Sequence, residues 1–384
     1  MKRRPIFSRA VVYALLIAAG AVFLVPFLWL GLSSLKPLDQ AMAMPPTLFP
    51  HAYFAPVDGV RREVTVEGPI PRGSVVADVT AGADAGRRLL LSPREALARA
   101  AELRGAHRVA AGWIRVSERD ESATASNQAP RWDVVPPEAV ESRIRFRWQN
   151  YPAALAALGG GTETSGANEN AVSFWTFLGN TLTVCILGVI GTVLSNAIVA
   201  YGFSRVAWRG RDSFFALTLA TLMVPFPVLM VPLYGVFREL GWIGSLMPLW
   251  VPAFFGSAFN IFLMRQFFIG IPEELSEAAR IDGSSEWSIF WRIILPLSKP
   301  VLAASAVFHF LYAWNDFMGP YLYLTRRETF TLSLALQAYQ SQNGGVQWHY
   351  LMAASTVTIL PVVVLFFFAQ RTFIQGIATT GSKG

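Results

Sequence analysis

The chain has 384 residues, 53% of them hydrophobic and only 15% charged, with 32 Lys and Arg against 25 Asp and Glu for a net charge of +7. Soluble domains carry about a quarter charged residues, so this composition points to lipid as the solvent for much of the chain. The single cysteine, Cys185, excludes a disulfide framework and a thiolate metal cluster, and the scattered basic residues lack the aromatic-laced basic face of a nucleic-acid binder.

The first apolar run, Val11–Leu32, follows the basic start "MKRRPIFSRA". It is too long for a signal-peptide core, and "VPFLWLGLSSLKP" has no small-x-small cleavage site, so residues 1–35 are expected to hold a retained first transmembrane helix. Further apolar runs cover Phe177–Ala200, Phe214–Phe237, Ile243–Phe262, Val301–Met318 and Leu351–Phe368. Each is near the roughly 20 residues a helix needs to cross a bilayer core, and none shows the alternation of a barrel strand. The expected fold is therefore an all-α polytopic membrane protein with six transmembrane helices.

Between the first two runs, residues 51–143 are soluble in character, with 13 acidic and 13 basic residues. "RREVTVEG" and "SVVADVT" read as strands, and "SPREALARAAELRG" reads as a helix capped by Ser92 and stopped by Gly105. A small α+β insert is expected there; His51 and His107 lack metal-ligand spacing and are expected at its surface. Residues 158–171, "LGGGTETSGANENA", read as a flexible linker to a five-helix core over 172–384. Basic residues cluster before the first span, between the second and third, and between the fourth and fifth, so the positive-inside rule places both termini in the cytoplasm and residues 51–143 outside. Prolines 225, 227, 232, 248 and 252 are expected to kink the third and fourth spans, which lipid tolerates only in a packed bundle.

One polar passage interrupts the apolar second half: "EELSEAARIDGSSEW", residues 273–287. Pro272 suits a first turn, Glu273 and Glu274 suit a helix N-terminus, and Gly283 supplies a left-handed stop. Ser284 or Ser285 then caps a second helix, "EWSIFWRII", expected to end at Leu295-Pro296. Trp287, Phe290, Trp291 and Ile294 form an apolar stripe expected to pack on the bundle or the membrane interface. Ala278 and Ala279 are expected to leave a smooth outward patch flanked by Glu277, Arg280 and Asp282.

"EAARIDG" followed by "IILPLSKP" resembles the signature loop of permease subunits of binding-protein-dependent ABC importers, and the chain is most similar to the maltose-type carbohydrate permeases, in the shorter six-helix branch. "GNTLTV", "NAIVAYGFSRVAWRGRD", "AWNDFMGPYLYL" and "FIQGIATTGSKG" carry the same resemblance; the insert at 51–143 departs from it. The resemblance implies a type I importer fold and a sugar or oligosaccharide as solute. It makes the 272–296 loop a coupling element in a cleft of a separate ATPase: Glu277 pairs with a basic residue there, Ala278 and Ala279 pack, Gly283 turns, and Asp282 belongs to the pattern. It also implies a second permease as heterodimer partner, two copies of the ATPase, an extracytoplasmic solute-binding protein, placement in the cytoplasmic (inner) membrane, a C-terminal tail reaching the ATPase, and an outward loop at 321–350 for the binding protein.

No phosphate-cradling G-x-x-x-x-G-K-[ST] loop is present, so no cofactor is expected in this chain, and ATP and Mg are left to the partner ATPase. His309, Asn315 and Asp316 are the candidates for the solute pathway, as polar groups in or at the end of the fifth span. The same machinery for a polyol or glycerol-phosphate solute is the alternative. A secondary transporter would need intramembrane carboxylates that the spans almost lack, and an intramembrane enzyme a nucleophile with its base.

Overall fold

The computed structural model describes residues 6–43, 46–72, 74–81, 87–110, 112–119, 131–159, 172–342 and 347–380. These fall into two compact units, one drawn from residues 1–153, 162–166 and 347–353, the other from residues 154–161, 167–346 and 354–384. Residues 160–171, most of the expected linker, lie outside the described residues.

The first unit opens with the helix Ile6–Ser34, whose large apolar side chains from Val11 to Trp29 are exposed, as a lipid-facing helix requires. Its end is tied down by Lys36, which is buried. The ammonium donates to the Thr47 carbonyl at 2.6 Å and stands 4.2 Å above the Trp29 ring. Burial pulls the Lys36 pKa below its ordinary value. The Asn150 amide donates to the carbonyls of Ser34 at 2.7 Å and Lys36 at 2.9 Å, closing the stretch that leaves the helix.

The described residues of 51–144 form eight strands: β1 His51–Val57, β2 Val60–Pro69, β3 Val75–Val79, β4 Arg88–Leu91, β5 Leu103–Arg108, β6 Ile114–Glu118, β7 Trp132–Val135 and β8 Glu141–Ile144. Five make an antiparallel sheet in the order β7-β6-β2-β1-β8, and three make a second in the order β4-β3-β5. Asp58 and Gly59, both at positive φ, make the two-residue turn between β1 and β2, which matches the right-handed strand twist. Ala55, Val57, Val64, Val116 and Val135 bury one face of the larger sheet, and Ile70, Val76, Val109 and Val134 form a second cluster.

β2 and β3 coincide with the two strands read from the sequence. Ser92 caps a helix as expected, with a full capping box to Glu95, but that helix is only Pro93–Ala98. Gly105 does not stop it: Gly105 lies inside β5, paired to β3. Cross-strand pairing competes successfully with helix propensity there, so the region is chiefly β rather than an even α+β mixture.

Arg119, Arg145 and Arg147 converge on Glu63, at 3.5 Å from Arg119, 2.7 Å from Arg145 and in direct contact with Arg147; Arg119 also reaches Asp39 at 2.5 Å. Burial lowers the Arg147 pKa, with Glu63 opposing the shift. Glu63→Ala removes the carboxylate that Arg119, Arg145 and Arg147 share and is expected to cost about 3 kcal/mol, as for breaking a buried ion pair. Limited proteolysis of the purified full chain should then cut this unit faster, and an unchanged cleavage rate would refute the network's importance.

The second unit is helical. Counting both units, four helices among the described residues are long and apolar enough to cross a membrane: Val11–Ser34, Phe174–Ser204, Met247–Ile269 and Trp348–Gln370. The expected third and fifth spans are not straight. Arg211–Met223 meets Phe226–Glu239 at 100°, and Glu286–Leu297 meets Lys299–Asn315 at 77°. At the first bend Val224 is extended and Pro225 starts the next helix, since a residue before proline is driven out of the helical region. Nor is 321–350 a plain exposed loop: it includes the helix Leu332–Gln342, with Leu332, Leu334, Ala335 and Tyr339 buried.

Phe174–Ser204 is the axis of this unit, packing along Lys299–Asn315, Ala258–Ile269 and the turn Val251–Phe255. Its glycines make the approach possible. A Cβ on Gly188 would sit 2.4 Å from His309 Nε2, and one on Gly191 would sit 2.5 Å from Phe254 Cδ2.

Candidate functional site

The polar passage folds as two short helices around one sharp turn. Glu274–Ile281 is the first, with Glu273 as its N-cap and Pro272 one residue outside the helix rather than in its first turn. At its end the Ser284 N–H donates to Ala279 at 2.9 Å and the Gly283 N–H to Arg280 at 3.0 Å, with Gly283 at φ +82°. This pair of bonds around a left-handed residue is a Schellman stop, and glycine makes it without steric cost. Ser285, not Ser284, caps the next helix by accepting from the Ser288 N–H at 3.3 Å.

That second helix does not end at Leu295-Pro296. Phe290–Ile294 widens into a π turn, after which helix resumes over Leu295–Leu297. The wider turn relieves the clash of the Pro296 ring with the preceding turn, so the proline is absorbed. The expected aromatic stripe is split: Phe290 and Ile294 are buried, whereas Trp287 and Trp291 are 59% and 43% exposed.

Glu277, Ala278, Asp282 and Gly283 are all exposed. Ala279 is not: it is buried in a cluster with Met264, Phe268, Ile289, Phe290 and Ile294. The two alanines thus do different things, because neighbours in a helix point about 100° apart and one of them must face the core. The outward face also presents Leu275 and Ile281, the latter 87% exposed.

Three residues that sequence reasoning passed over hold this element. The Tyr201 hydroxyl donates to Glu286 Oε2 at 2.5 Å, and Arg280 Nε donates to Glu286 Oε1 at 2.7 Å, joining the long helix to both short ones. The bond to Glu286 raises the Arg280 pKa above its ordinary value. Arg205, buried at the end of Phe174–Ser204, donates to the carbonyls of Phe268 and Ile271. Those carbonyls lie in the last turn of the helix Ala258–Ile269 and just past its cap Gly270, so Arg205 clamps the segment entering the polar passage. The run of bases after the second span was a signal for topology, not for this clamp.

A cavity of about 460 Å³ opens elsewhere in the same unit, among Phe174–Ser204, Phe226–Glu239, Ala258–Ile269 and Lys299–Asn315. His309 and Asp316 line it; Asn315 does not, being exposed and donating to the Leu311 carbonyl at 2.8 Å. Thr192 and Asn260, neither a sequence candidate, line it as well. His309 Nδ1 lies 3.0 Å from the Thr192 hydroxyl.

Residues 190–379 match the family described as the inner membrane component of binding-protein-dependent transport systems. The permease protein AraQ of an arabinooligosaccharide transport system of Halalkalibacterium halodurans is 38% identical over 211 residues, covering 55% of this chain and 75% of that one. The chain belongs to this family. A second member, the sn-glycerol-3-phosphate permease UgpE of Yersinia pestis, is 35% identical over 214 residues, covering 56% of this chain and 76% of its own. A solved bacterial ABC transporter that imports alginate covers 58% of this chain and 90% of its own at a TM-score of 0.46 and 23% identity. The chain is accordingly an ABC importer permease, a multi-pass inner-membrane component. The matched span includes the paired short helices and every residue that lines the cavity, and leaves out β1–β8.

Proposed function

We propose that this permease is one of two membrane subunits of an importer that takes up a sugar or oligosaccharide, driven by ATP hydrolysis in a separate subunit. The observation that carries the coupling is the rigid pair of short helices. A Schellman turn at Gly283 fixes their angle, and Tyr201, Glu286, Arg280 and Arg205 tie them to the long helices. A docked ATPase that moves such an element moves the bundle with it, which a loose loop would not transmit.

In this reading Glu277, Ala278, Asp282 and Gly283 meet the ATPase, with Leu275 and Ile281 beside them, while Ala279 supports the element from behind. ATP and Mg belong to that ATPase, and this chain carries no cofactor. Both termini are cytoplasmic and the two bent helix pairs each count as one span, giving six. The β region at 51–143 stands outside the membrane, where a solute-binding protein delivers its cargo. The sugar reading draws on the similarity to AraQ, and the 35% identity to UgpE supports glycerol phosphate as the second reading.

Gentle solubilisation and purification of the tagged chain should bring down a second permease and an ATPase, with uptake into sealed vesicles requiring ATP. Uptake by this chain alone without ATP would overturn the proposal.

A further inference from the structure

The two readings of the solute differ in charge, and the cavity discriminates between them. Its walls are aromatic: Phe226, Phe259, Phe308 and Tyr312 line it and are each at least 40% exposed. Flat apolar faces of this kind cover the C–H faces of sugar rings, and a few placed polar groups then orient the hydroxyls.

Those polar groups are present. Asn260 is buried, and its side-chain oxygen accepts from the Ser305 hydroxyl at 2.7 Å, which leaves its N–H donors for a solute oxygen. The Tyr323 hydroxyl is buried against the cavity without a hydrogen-bond partner among the described residues. A buried hydroxyl in that condition calls for a polar occupant.

The charge is one-sided. Asp316 lines the cavity, held by the Gly319 N–H at 3.1 Å, and no lysine or arginine is among the described residues that line it. His309 shares its Nδ1 with Thr192, while its Nε2, packed against Gly188, has no hydrogen-bond partner among the described residues and, on a neutral imidazole, adds a polar atom but no positive charge. A phosphate or uronate entering beside an uncompensated carboxylate would meet repulsion that the low-dielectric walls amplify, whereas a hydroxyl would find an acceptor.

We propose that this cavity is a solute subsite that accepts an uncharged, polyhydroxylated solute and rejects anionic ones, with Asp316 as the discriminating residue and Asn260, Tyr323 and the aromatic faces as its recognition groups. The proposal rests on the importer reading and narrows it to neutral sugars.

The test uses the complete importer in lipid nanodiscs with Cys185→Ala and a single reporter cysteine in the cavity wall, Ala253→Cys, with Leu233→Cys as the alternative reporter. Alkylation by a small maleimide is followed with millimolar arabinotriose, maltotriose or raffinose, and with sn-glycerol-3-phosphate or trigalacturonate. At least one neutral sugar should slow labelling about tenfold while neither anion does, and adding Asp316→Asn should let the anions protect within about threefold of the sugar, as removal of one buried charge predicts. Protection by the anions in the presence of Asp316, or by neither class, would overturn the subsite. ATP-dependent uptake by the importer without the reporter cysteine is measured in parallel. Uptake that persists while the labelling pattern fails sinks only the subsite, whereas loss of ATP dependence sinks the importer reading.

Discussion

Gly283→Val abolishes coupling: uptake by the reconstituted importer falls at least about tenfold, while the chain still inserts and the ATPase still hydrolyses ATP. The cause is local. Gly283 sits at φ +82° in open space, so no neighbour clashes with a new Cβ. The cost is instead that of holding a β-branched residue in the left-handed region, about 1–2 kcal/mol or more. The turn relieves it by giving up the Ser284 to Ala279 bond, and the two short helices lose their fixed angle. Gly283→Asn should be milder, since asparagine visits that region more readily. Uptake and hydrolysis measured side by side decide the matter, and a valine variant that transports normally would end the coupling assignment.

Arg205→Ala destabilises the assembled permease by about 2–3 kcal/mol, the cost of leaving buried acceptors without their charged donor. Two carbonyls, of Phe268 and Ile271, lose a shared partner where the chain leaves the membrane. Arg205→Lys should recover less than half, because an ammonium lacks the planar fork that reaches both oxygens. The unfolding midpoint of the purified complex reads this loss. An alanine variant as stable as the parent would show the clamp to be dispensable.

Much of the molecule was legible from local rules. The four long spans follow from about 20 apolar residues in a row. The Gly283 stop and the Ser92 and Ser285 caps follow from which side chains tolerate a left-handed backbone or accept a free N–H. The Asp58-Gly59 hairpin was equally readable, as a turn dipeptide between alternating runs, but was passed over.

What failed depended on strand pairing or on a backbone adjustment that residue type does not announce. Gly105 looks like a helix stop until β3 arrives to pair with its strand, and Pro296 looks like a helix end until a π turn ahead of it makes room. His309 and Asp316 were candidates for the solute path, yet nothing in the order of residues separates them from Asn315, which the helix turns away.

By itself, then, the sequence determined that the chain lives in a membrane, where its four long apolar helices run and where its polar passage turns, because hydropathy and backbone sterics act within a few residues. Only the tertiary structure decided that Ala279 faces inward while Ala278 faces out, that Arg205 and Glu286 fasten the passage, and that an acidic, aromatic cavity forms among four helices. Those outcomes depend on which surfaces meet across stretches of chain that run from 63 residues, Arg205 to Phe268, to 117 residues, Thr192 to His309, and no local propensity encodes a meeting.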